Sequence, residues 1–486
     1  MKNGKPIFEE ERLLLKLFTG IDIPTDCWRH GTKIYLDSTC DKPIYNIKLE
    51  ESKSKVLTKE YSPMKTITND IELKKLMNKK SDIEFKLYRT IKLEKKNEKL
   101  FESYTQKSIV DLIEENKERL LELEKNTIDR LEKYFKENLS NIEQIIISHS
   151  SGKDSTLTSE IFFKTLERLK ITDTETYEKI NSMWLTNFAN TTNATSIEYR
   201  IAKSLPRVKI LNPKKGLLPW LREEKKYHPP TILRRNCCSQ YKEGQLTKNY
   251  DKNKNILMLT GVRCYESKRR ADYTFCMDHE ERVRIHGVDT LPNKWTNLAI
   301  IFDWTDIDVW LYMLMKNIEF NPLYKLGFHR IGCLNCPMQQ DYIDILTEYY
   351  FENSKKRWDE FLEQDYKRNN QWRNLKWTKE EYIDYGKWKT GKGFEHYITN
   401  LKLTEERAKM LAERKGCEVE IAKRFWDKKC SKCGEKLTPP EISMSEKLHR
   451  NKEHLCKNCL CEGYGLSKEQ YKQLKIDLYN SDCTLF

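Results

Sequence analysis

The sequence predicts an α/β protein: a doubly wound, mostly parallel sheet, extended by a helical region and a small cysteine-rich C-terminal module. Three observations carry that expectation. From Ile145 onward, short apolar runs alternate with helix-compatible stretches, the pattern of strands joined by crossover helices. The first run, Ile145-Ile146-Ile147, breaks into the small polar loop Ser148-His149-Ser150-Ser151-Gly152-Lys153-Asp154-Ser155 and then into a helical stretch, Thr156 to Leu169. The chain closes on two C-x2-C pairs, Cys430/Cys433 and Cys456/Cys459.

The expected strands of the sheet are Ile145–Ser148, Met183–Phe188, Val208–Leu211, Ile256–Thr260 and Leu298–Phe302. Ligands of such sheets bind beyond the carboxyl ends of the strands. Four segments fall there: Ser150–Ser155, Ala189-Asn190-Thr191, Gly261-Val262-Arg263 and Asp303-Trp304-Thr305. In the first, Ser150, Ser151 and Gly152 allow a tight backbone turn, and Asp154 and Ser155 are good helix N-cap residues. Backbone N–H groups and a helix N-terminus aimed at one point suit a phosphate, and Lys153 adds a mobile cation. The chain contains no G-x-x-x-x-G-K-[ST], so this is not a Walker A loop.

The other regions are read more coarsely. Residues 1–105 form an N-terminal domain to which the sequence assigns no role, with short strands expected at Lys33–Leu36, Asn46–Leu49 and Phe85–Ile91; Cys27 and Cys40 stand alone and read as ordinary cysteines. Residues 106–140 form a connecting amphipathic helix, with Ile109, Ile113, Leu120, Leu123, Leu131 and Phe135 on one face. The nucleotide-type domain covers 141–340. A helical region, 341–425, interleaves Trp358, Trp372, Trp377, Tyr382, Tyr385 and Trp388 with charges. That pattern stacks bases or lines packed helices, and packing is the preferred reading. Residues 426–486 form the cysteine module.

Composition bounds the partners. Lys+Arg 88 against Asp+Glu 74 gives a net charge of +14, which favours a polyanion such as DNA or RNA, although a Lys- and Asn-rich composition supplies such an excess by itself. No apolar run approaches the ~20 residues that span a bilayer. Glu9, Glu10 and Glu11 precede the first apolar stretch, unlike a secretory signal. A cytoplasmic protein with no membrane partner is expected, and there fifteen cysteines point to metal rather than disulfides. Cys430, Cys433, Cys456 and Cys459 suit a tetrahedral Zn2+ in a zinc-ribbon-like module, with Cys461 or His449 as substitutes. Cys237-Cys238 with Cys333-x-x-Cys336 suits the corners of a [4Fe–4S] cluster; zinc, or no metal at all, stays open for this set. Arg234, Arg235, Lys242, His329 and Arg330 flank it.

Several motifs together resemble one family. Ser150 to Ser155 is similar to the S-G-G-K-D-S loop of the PP-loop ATP pyrophosphatases, with Ser151 in place of the first glycine. Asn236-Cys237-Cys238-Ser239-Gln240-Tyr241-Lys242 looks like a family cysteine pair followed by a lysine. Gly261-Val262-Arg263-Cys264-Tyr265-Glu266-Ser267-Lys268-Arg269 resembles G-V-R-x-x-E-S-x-x-R. Ile301 to Trp310 resembles P-I-x-x-W-T-x-x-D-V-W. Asn321-Pro322-Leu323-Tyr324 leads to Arg330-Ile331-Gly332-Cys333-x-x-Cys336-Pro337, like N-P-L-Y…R-x-G-C-x-x-C-P. The order is that of the phosphoadenosine phosphosulfate (PAPS) reductase family, which includes the sulfate reductases and the ATP pyrophosphatase component of DNA phosphorothioation systems. The resemblance covers about residues 142–340.

It implies a PP-loop, adenine nucleotide alpha hydrolase-like fold that binds ATP, or adenosine phosphosulfate (APS) or PAPS. Ser150, Gly152, Lys153, Asp154 and Ser155 would hold the phosphates; Ser151, Asn190, Thr191 and Gly261 complete the expected nucleotide set. Lys153, Asp154, Arg263 and Arg269 are the expected catalytic residues, with both arginines near the phosphate or sulfate end. Asp308 or Trp304 would shape the pocket wall, and Cys237, Cys238, Cys333 and Cys336 would ligate an iron–sulfur cluster. There are departures. Asn190 replaces the acid of A-D-T. The tail Ser481-Asp482-Cys483-Thr484-Leu485 lacks the glycine and histidine of the reductases' E-C-G-[IL]-H, so Cys483 reads as an ordinary tail cysteine. The reading that follows is an ATP-dependent sulfurtransferase: it adenylylates DNA or tRNA, releases pyrophosphate and receives sulfur from a donor such as a cysteine desulfurase. The alternatives are a thiol-dependent APS/PAPS reductase and a nucleotide-gated nucleic-acid-binding protein without catalysis.

Overall fold

In a computed structural model, the described residues are 4–57, 85–97, 99–100, 104–224, 228–232, 234–267, 270–286, 291–339, 341–373, 377–390, 428–438, 441–442, 444–445, 448 and 453–480. The chain divides into two compact units, one of residues 1–217 with 236–357, the other of 218–235 with 358–486.

The first unit begins with an antiparallel sheet in sequential order: β1 (Lys5–Pro6), β2 (Trp28–His30), β3 (Lys33–Tyr35), β4 (Pro43–Leu57) and β5 (Phe85–Lys95). Helix α1 (Glu9–Thr19) follows β1 and buries Leu14, Leu15 and Phe18. Its last turn stops at Gly20, whose φ of 72° is the left-handed conformation a glycine adopts without strain. Helix α2 (Ile109–Asn138) opens on a capping box between Ser108 and Asp111, and it buries Leu120, Leu131 and Phe135.

The second sheet is built from β6 (Gln144–Ser148), β7 (Trp184–Ala189), β8 (Val208–Leu211), β9 (Ile256–Thr260), the two-residue β10 (Cys276–Met277) and β11 (Trp295–Ala299). Its spatial order is β10-β11-β9-β6-β7-β8; all neighbours are parallel except the edge strand β10. The expected doubly wound, mostly parallel sheet is therefore present. Side chains alternate across it. Ile145 and Ile147 join the main core, with Leu157, Ile161 and Phe162 of α3 (Lys153–Thr172), while Ile146 packs on the opposite face with Met258 and Trp295. Each such buried side chain contributes roughly 1.5–3 kcal/mol. From β6 the chain runs outward to β7 and β8, then returns to the other side of β6 as β9. The order in which strands are added reverses between the parallel neighbours β6 and β9, so a crevice opens at their carboxyl ends.

Two local expectations need correction. The last parallel strand runs over Trp295–Ala299, three residues before the expected Leu298–Phe302. Ile300 and Ile301 are fully buried, but they lie in a turn where Phe302 N–H bonds the Ala299 carbonyl and Trp304 N–H bonds the Ile301 carbonyl. Their apolar character serves packing, not pairing. Helix α3 is capped by Gly152, not by Asp154 or Ser155, and both of those lie inside the first turn.

Three further helices of this unit matter: α4 (Thr174–Met183), α5 (Ser196–Ser204) and α6 (Asp306–Met315). The last two begin with capping boxes, Thr195 with Glu198 and Thr305 with Asp308. In the second unit Trp358 packs on Phe361 and Trp388, each at 5.7 Å, and the Tyr382 hydroxyl donates to Asp365 at 2.5 Å. These aromatics pack helices, as expected; the side chain of Trp372 lies outside the described residues. The C-terminal module has its own core of Leu437, Ile442, Met444, Leu455 and Leu460 around the cysteines. Among the described residues no helix is long and apolar enough to cross a membrane.

Candidate functional site

The crevice holds a cavity of about 580 Å³. Its floor is the loop between β6 and α3, whose shape rests on bonds the loop makes to itself and to two distant segments. Ser150 N–H donates to Ser155 Oγ at 3.1 Å, and Ser155 Oγ lies 2.9 Å from the Gly152 carbonyl. Ser151 has φ 58°, a left-handed conformation that explains the glycine usual in such loops. Two bonds hold it there: its N–H donates to His149 Nδ1 at 3.1 Å, and its hydroxyl donates to the Glu198 carbonyl at 3.0 Å. Asn321 Nδ2 donates to the Ser151 carbonyl at 3.3 Å, and the Tyr324 hydroxyl accepts the Lys153 N–H at 3.0 Å. The amides of Ser150, Ser151 and Lys153 are thus engaged within the protein. The cations Lys153 and Arg263 line the cavity.

The cations are set in an alternating ring. Lys153 Nζ lies 2.8 Å from Asp154 and 2.9 Å from Asp306; Arg263 Nε lies 2.7 Å from Asp154, and its NH2 pairs with Asp306. Arg263 is also anchored to the Trp304 carbonyl. Burial pushes the Asp154 carboxyl up, but Lys153 and Arg263 outweigh it and hold the group below its ordinary value. Burial pushes Lys153 down, and Asp154 with Asp306 raises it above its usual range. Lys153, Asp154 and Arg263 therefore stay charged at neutral pH. His149 is the opposite case: burial pushes its imidazole down to about 4, so it is neutral and Nδ1 serves as an acceptor. Burial pushes the Glu198 carboxyl up to about 7 against the Thr195 amide and hydroxyl.

The expected residues divide. Ser150, Gly152, Lys153, Asp154, Ser155, Thr191, Gly261 and Arg263 line the cavity. Ser151 does not, because its side chain is turned to Glu198. Asn190 does not either; it closes its own turn onto Thr192 N–H and reaches Asn212. Arg269 lies outside the described residues, as do His449 and Cys483. Asp308 shapes no wall: its carboxylate accepts the Thr305 N–H in the capping box of α6 and pairs with Arg119 at 2.6 Å. Trp304 is fully buried and donates to Thr127 Oγ1. The sequence reading missed Asp306, Asn321, Tyr324 and Glu198. Asn321 and Tyr324 were legible as a motif without a role; Asp306 was passed over because the family resemblance pointed to its neighbour Asp308.

Cys237 and Cys238 sit on the short helix Asn236–Cys238, and Cys333 lines the cavity. The Leu334 N–H donates to the Asn193 carbonyl at 2.7 Å, and Asn193 Nδ2 returns a bond to the Leu334 carbonyl, which ties this loop to the end of β7. Contact with Cys238, then burial, then Cys333 and Cys336 push the Cys237 thiol far up; unlike the C-terminal set, these four do not bring their sulfurs within 4.8 Å of one another. Burial pushes the Cys333 thiol up to about 11 despite Lys242 nearby. Neutral thiols are favoured here in the absence of a cation, and a wider spacing of four cysteines is that of a cluster rather than of a single zinc ion.

The C-terminal set is tighter. The ligand atoms of Cys430, Cys433, Cys456 and Cys459 all lie within 4.8 Å of one another, and Cys433 Sγ is 3.6 Å from Cys456 Sγ. Tetrahedral thiolates at the Zn–S bond length stand about 3.8 Å apart, so the set fits one zinc-sized ion. Cys461 is not in this group. Although burial opposes it, backbone N–H groups of Cys456, Cys433 and Lys432 bring the Cys430 thiol down to about 6, while burial and the neighbouring thiols push Cys459 up.

Fold and site together define an α/β nucleotide-type domain with a PP-loop, a cationic crevice and an adjoining cysteine set. Residues 144–339 match the family of the phosphoadenosine phosphosulfate reductase domain. An uncharacterised protein of Methanocaldococcus jannaschii is 28% identical over 229 residues, 47% of this chain and 50% of that protein. An adenosine 5'-phosphosulfate reductase of Neisseria meningitidis is 38% identical over 78 residues, 16% of this chain and 28% of that one. The chain spans about half the length of the Methanocaldococcus relatives it matches. A PAPS reductase from Candida auris is 14% identical, covering 46% of this chain and 93% of that one, at a TM-score of 0.29, a likeness too slight to add to the strand order itself.

Proposed function

We propose that the chain is an ATP-dependent sulfurtransferase acting on a nucleic acid, with the triphosphate bound over the β6–α3 loop. The observation that carries this is the ring of Lys153, Asp154, Arg263 and Asp306 at the β6/β9 crevice. Magnesium-bearing polyphosphates are held by one or two carboxylates plus cations. Asp154 and Asp306 supply the carboxylates, Lys153 and Arg263 the cations. In the reaction, a phosphodiester oxygen of the acceptor attacks the α-phosphorus of ATP and pyrophosphate leaves. A hydrosulfide-level sulfur donor then attacks the acceptor phosphorus, and AMP leaves with the original oxygen. Lys153 and Arg263 offset charge building on the departing pyrophosphate, and the loop holds the reactants in line. Cys237, Cys238, Cys333 and Cys336 would hold an iron–sulfur cluster beside the cavity, and such a cluster supplies electron transfer or sulfur binding when present.

A second reading is favoured by the named relatives, several of which are adenosine 5'-phosphosulfate reductases. In it, the same pocket takes APS and Cys483 attacks the sulfate sulfur. Protein purified without oxygen decides between them. Pyrophosphate release from ATP that depends on added DNA or tRNA supports sulfur transfer. Sulfite release from APS that is lost in Cys483→Ser, at unchanged iron content, overturns it.

A further inference from the structure

The N-terminal sheet supplies part of the cavity wall, although the family match begins only at residue 144. Lys5 of β1 and Arg29 of β2 both line the cavity, and both are almost fully buried. They share one carboxylate: Glu11 takes Lys5 Nζ at 2.6 Å and Arg29 Nε at 2.6 Å. Arg29 also donates to the Gly31 and Gly327 carbonyls. Glu11 is the carboxylate that both cations touch, and Glu10 acts on Lys5 from further off; an anion in the cavity would complete the pairing of two buried cations.

A second observation marks where that anion sits. His329 lines the same cavity, and its buried Nδ1 has no hydrogen-bond partner among the described residues. Burial, then Arg29, Arg330, Lys5 and Lys153 in turn, push its imidazole down to about 3. The ring therefore lies inside a field of four cations, one of which belongs to the PP-loop. An orphaned ring nitrogen amid cations is an incomplete hydrogen-bond site.

We propose that Lys5, Arg29 and His329 form an oxyanion subsite beside the PP-loop that holds the phosphodiester of the acceptor. The assignment to an acceptor rests on the sulfur-transfer reading; the subsite itself does not. It gives the N-terminal sheet a role: it makes the cavity two-sided, with the nucleotide phosphates on the loop and the acceptor phosphate on the sheet.

The test uses the full chain at pH 7 with a non-hydrolysable ATP analogue saturating the loop. Inorganic phosphate is titrated calorimetrically, and d(TpT) is then used as competitor. Arg29 is left intact because it also anchors Gly327. Phosphate should still bind beside the analogue, His329→Gln and Lys5→Gln should each weaken it by about tenfold, and d(TpT) should displace it. In parallel, the His329 ring should titrate at higher pH when phosphate is bound. Loss of all phosphate binding once the analogue is present would assign these residues to the nucleotide and overturn the proposal, as would unchanged affinity in both variants. Phosphate binding without displacement by d(TpT) would remove the acceptor assignment. Absence of pyrophosphate release with every nucleic acid, beside an intact and displaceable phosphate site, would end the proposed reaction and leave the subsite standing.

Discussion

Arg263 is almost fully buried and reaches Asp154, Asp306 and the Trp304 carbonyl at once. Arg263→Ala leaves two carboxylates to Lys153 alone, and breaking a buried pair from one side costs roughly 3–5 kcal/mol. Urea unfolding should register that loss. Adding Asp306→Asn should recover part of it, because the second change removes the orphaned charge. Equal or greater loss in the double variant would show that the ring does not act as a unit. His149 gives a pH dependence of known sign. Its folded value near 4 lies below the ordinary 6.5, so the unfolded chain binds the extra proton first. The stabilisation is complete above pH 6.5 and is lost as pH falls towards 4, about 2 kcal/mol of it by pH 5. The difference between wild type and His149→Gln, followed by urea midpoints at pH 7 and pH 5, isolates this group from His329, which shares the sign. A gap that does not change with pH would refute the buried neutral ring. Ser151 shows what sequence offers at this scale. A serine at a glycine position reads as a departure, yet its two bonds to His149 and Glu198 make the left-handed turn affordable.

Between β6, α3 and the end of β9 the packing leaves no slack. A Cβ on Gly261 would stand 2.8 Å from the Asp154 carbonyl carbon and oxygen and 3.0 Å from the Ser155 amide, all backbone. Gly261→Ala must therefore push the first turn of α3 away from β9. The expected cost is about 1–3 kcal/mol in stability, with a loss of nucleotide affinity of similar size. Thermal unfolding and nucleotide titration measure both; a variant with normal affinity would mean that the turn yields without moving the loop. These elements were largely legible in the sequence. Ile145 to Ile147 and Ile256 to Thr260 are dense apolar runs of strand length, and the polar loops after them mark the carboxyl edge. The misplacement of the last strand has a physical cause, since Ile300 and Ile301 are as apolar as a strand but are buried in a turn. Asn321 and Tyr324 could not be assigned roles because they act across 170 and 171 residues of chain. No local pattern encodes such a bond.

For the molecule as a whole, the two units differ in what holds them. The first has a continuous core running from the N-terminal sheet into the parallel sheet, through Trp28, Phe135, Ile145 and Trp310. That continuity was invisible in residues 1–105, whose strands carry mixed charge and whose burial is decided by partners far along the chain. The C-terminal module within the second unit was legible from cysteine spacing alone, and its core is small: Leu437, Ile442, Met444, Leu455, Leu460 and Tyr471 around four sulfurs. A structural zinc contributes an apparent ~10–16 kcal/mol to such a fold, more than those side chains can replace. Chelator treatment of the full chain should therefore unfold this module first. Calorimetry should show a low-temperature transition appearing on metal removal, while the main transition and nucleotide binding at the PP-loop stay within error. Cys456→Ser should reproduce the effect without chelator, because it deletes one of the four ligands. Metal analysis should give one zinc equivalent lost in step with that transition. A chelated protein whose calorimetric trace is unchanged would mean that the four cysteines pack without a metal.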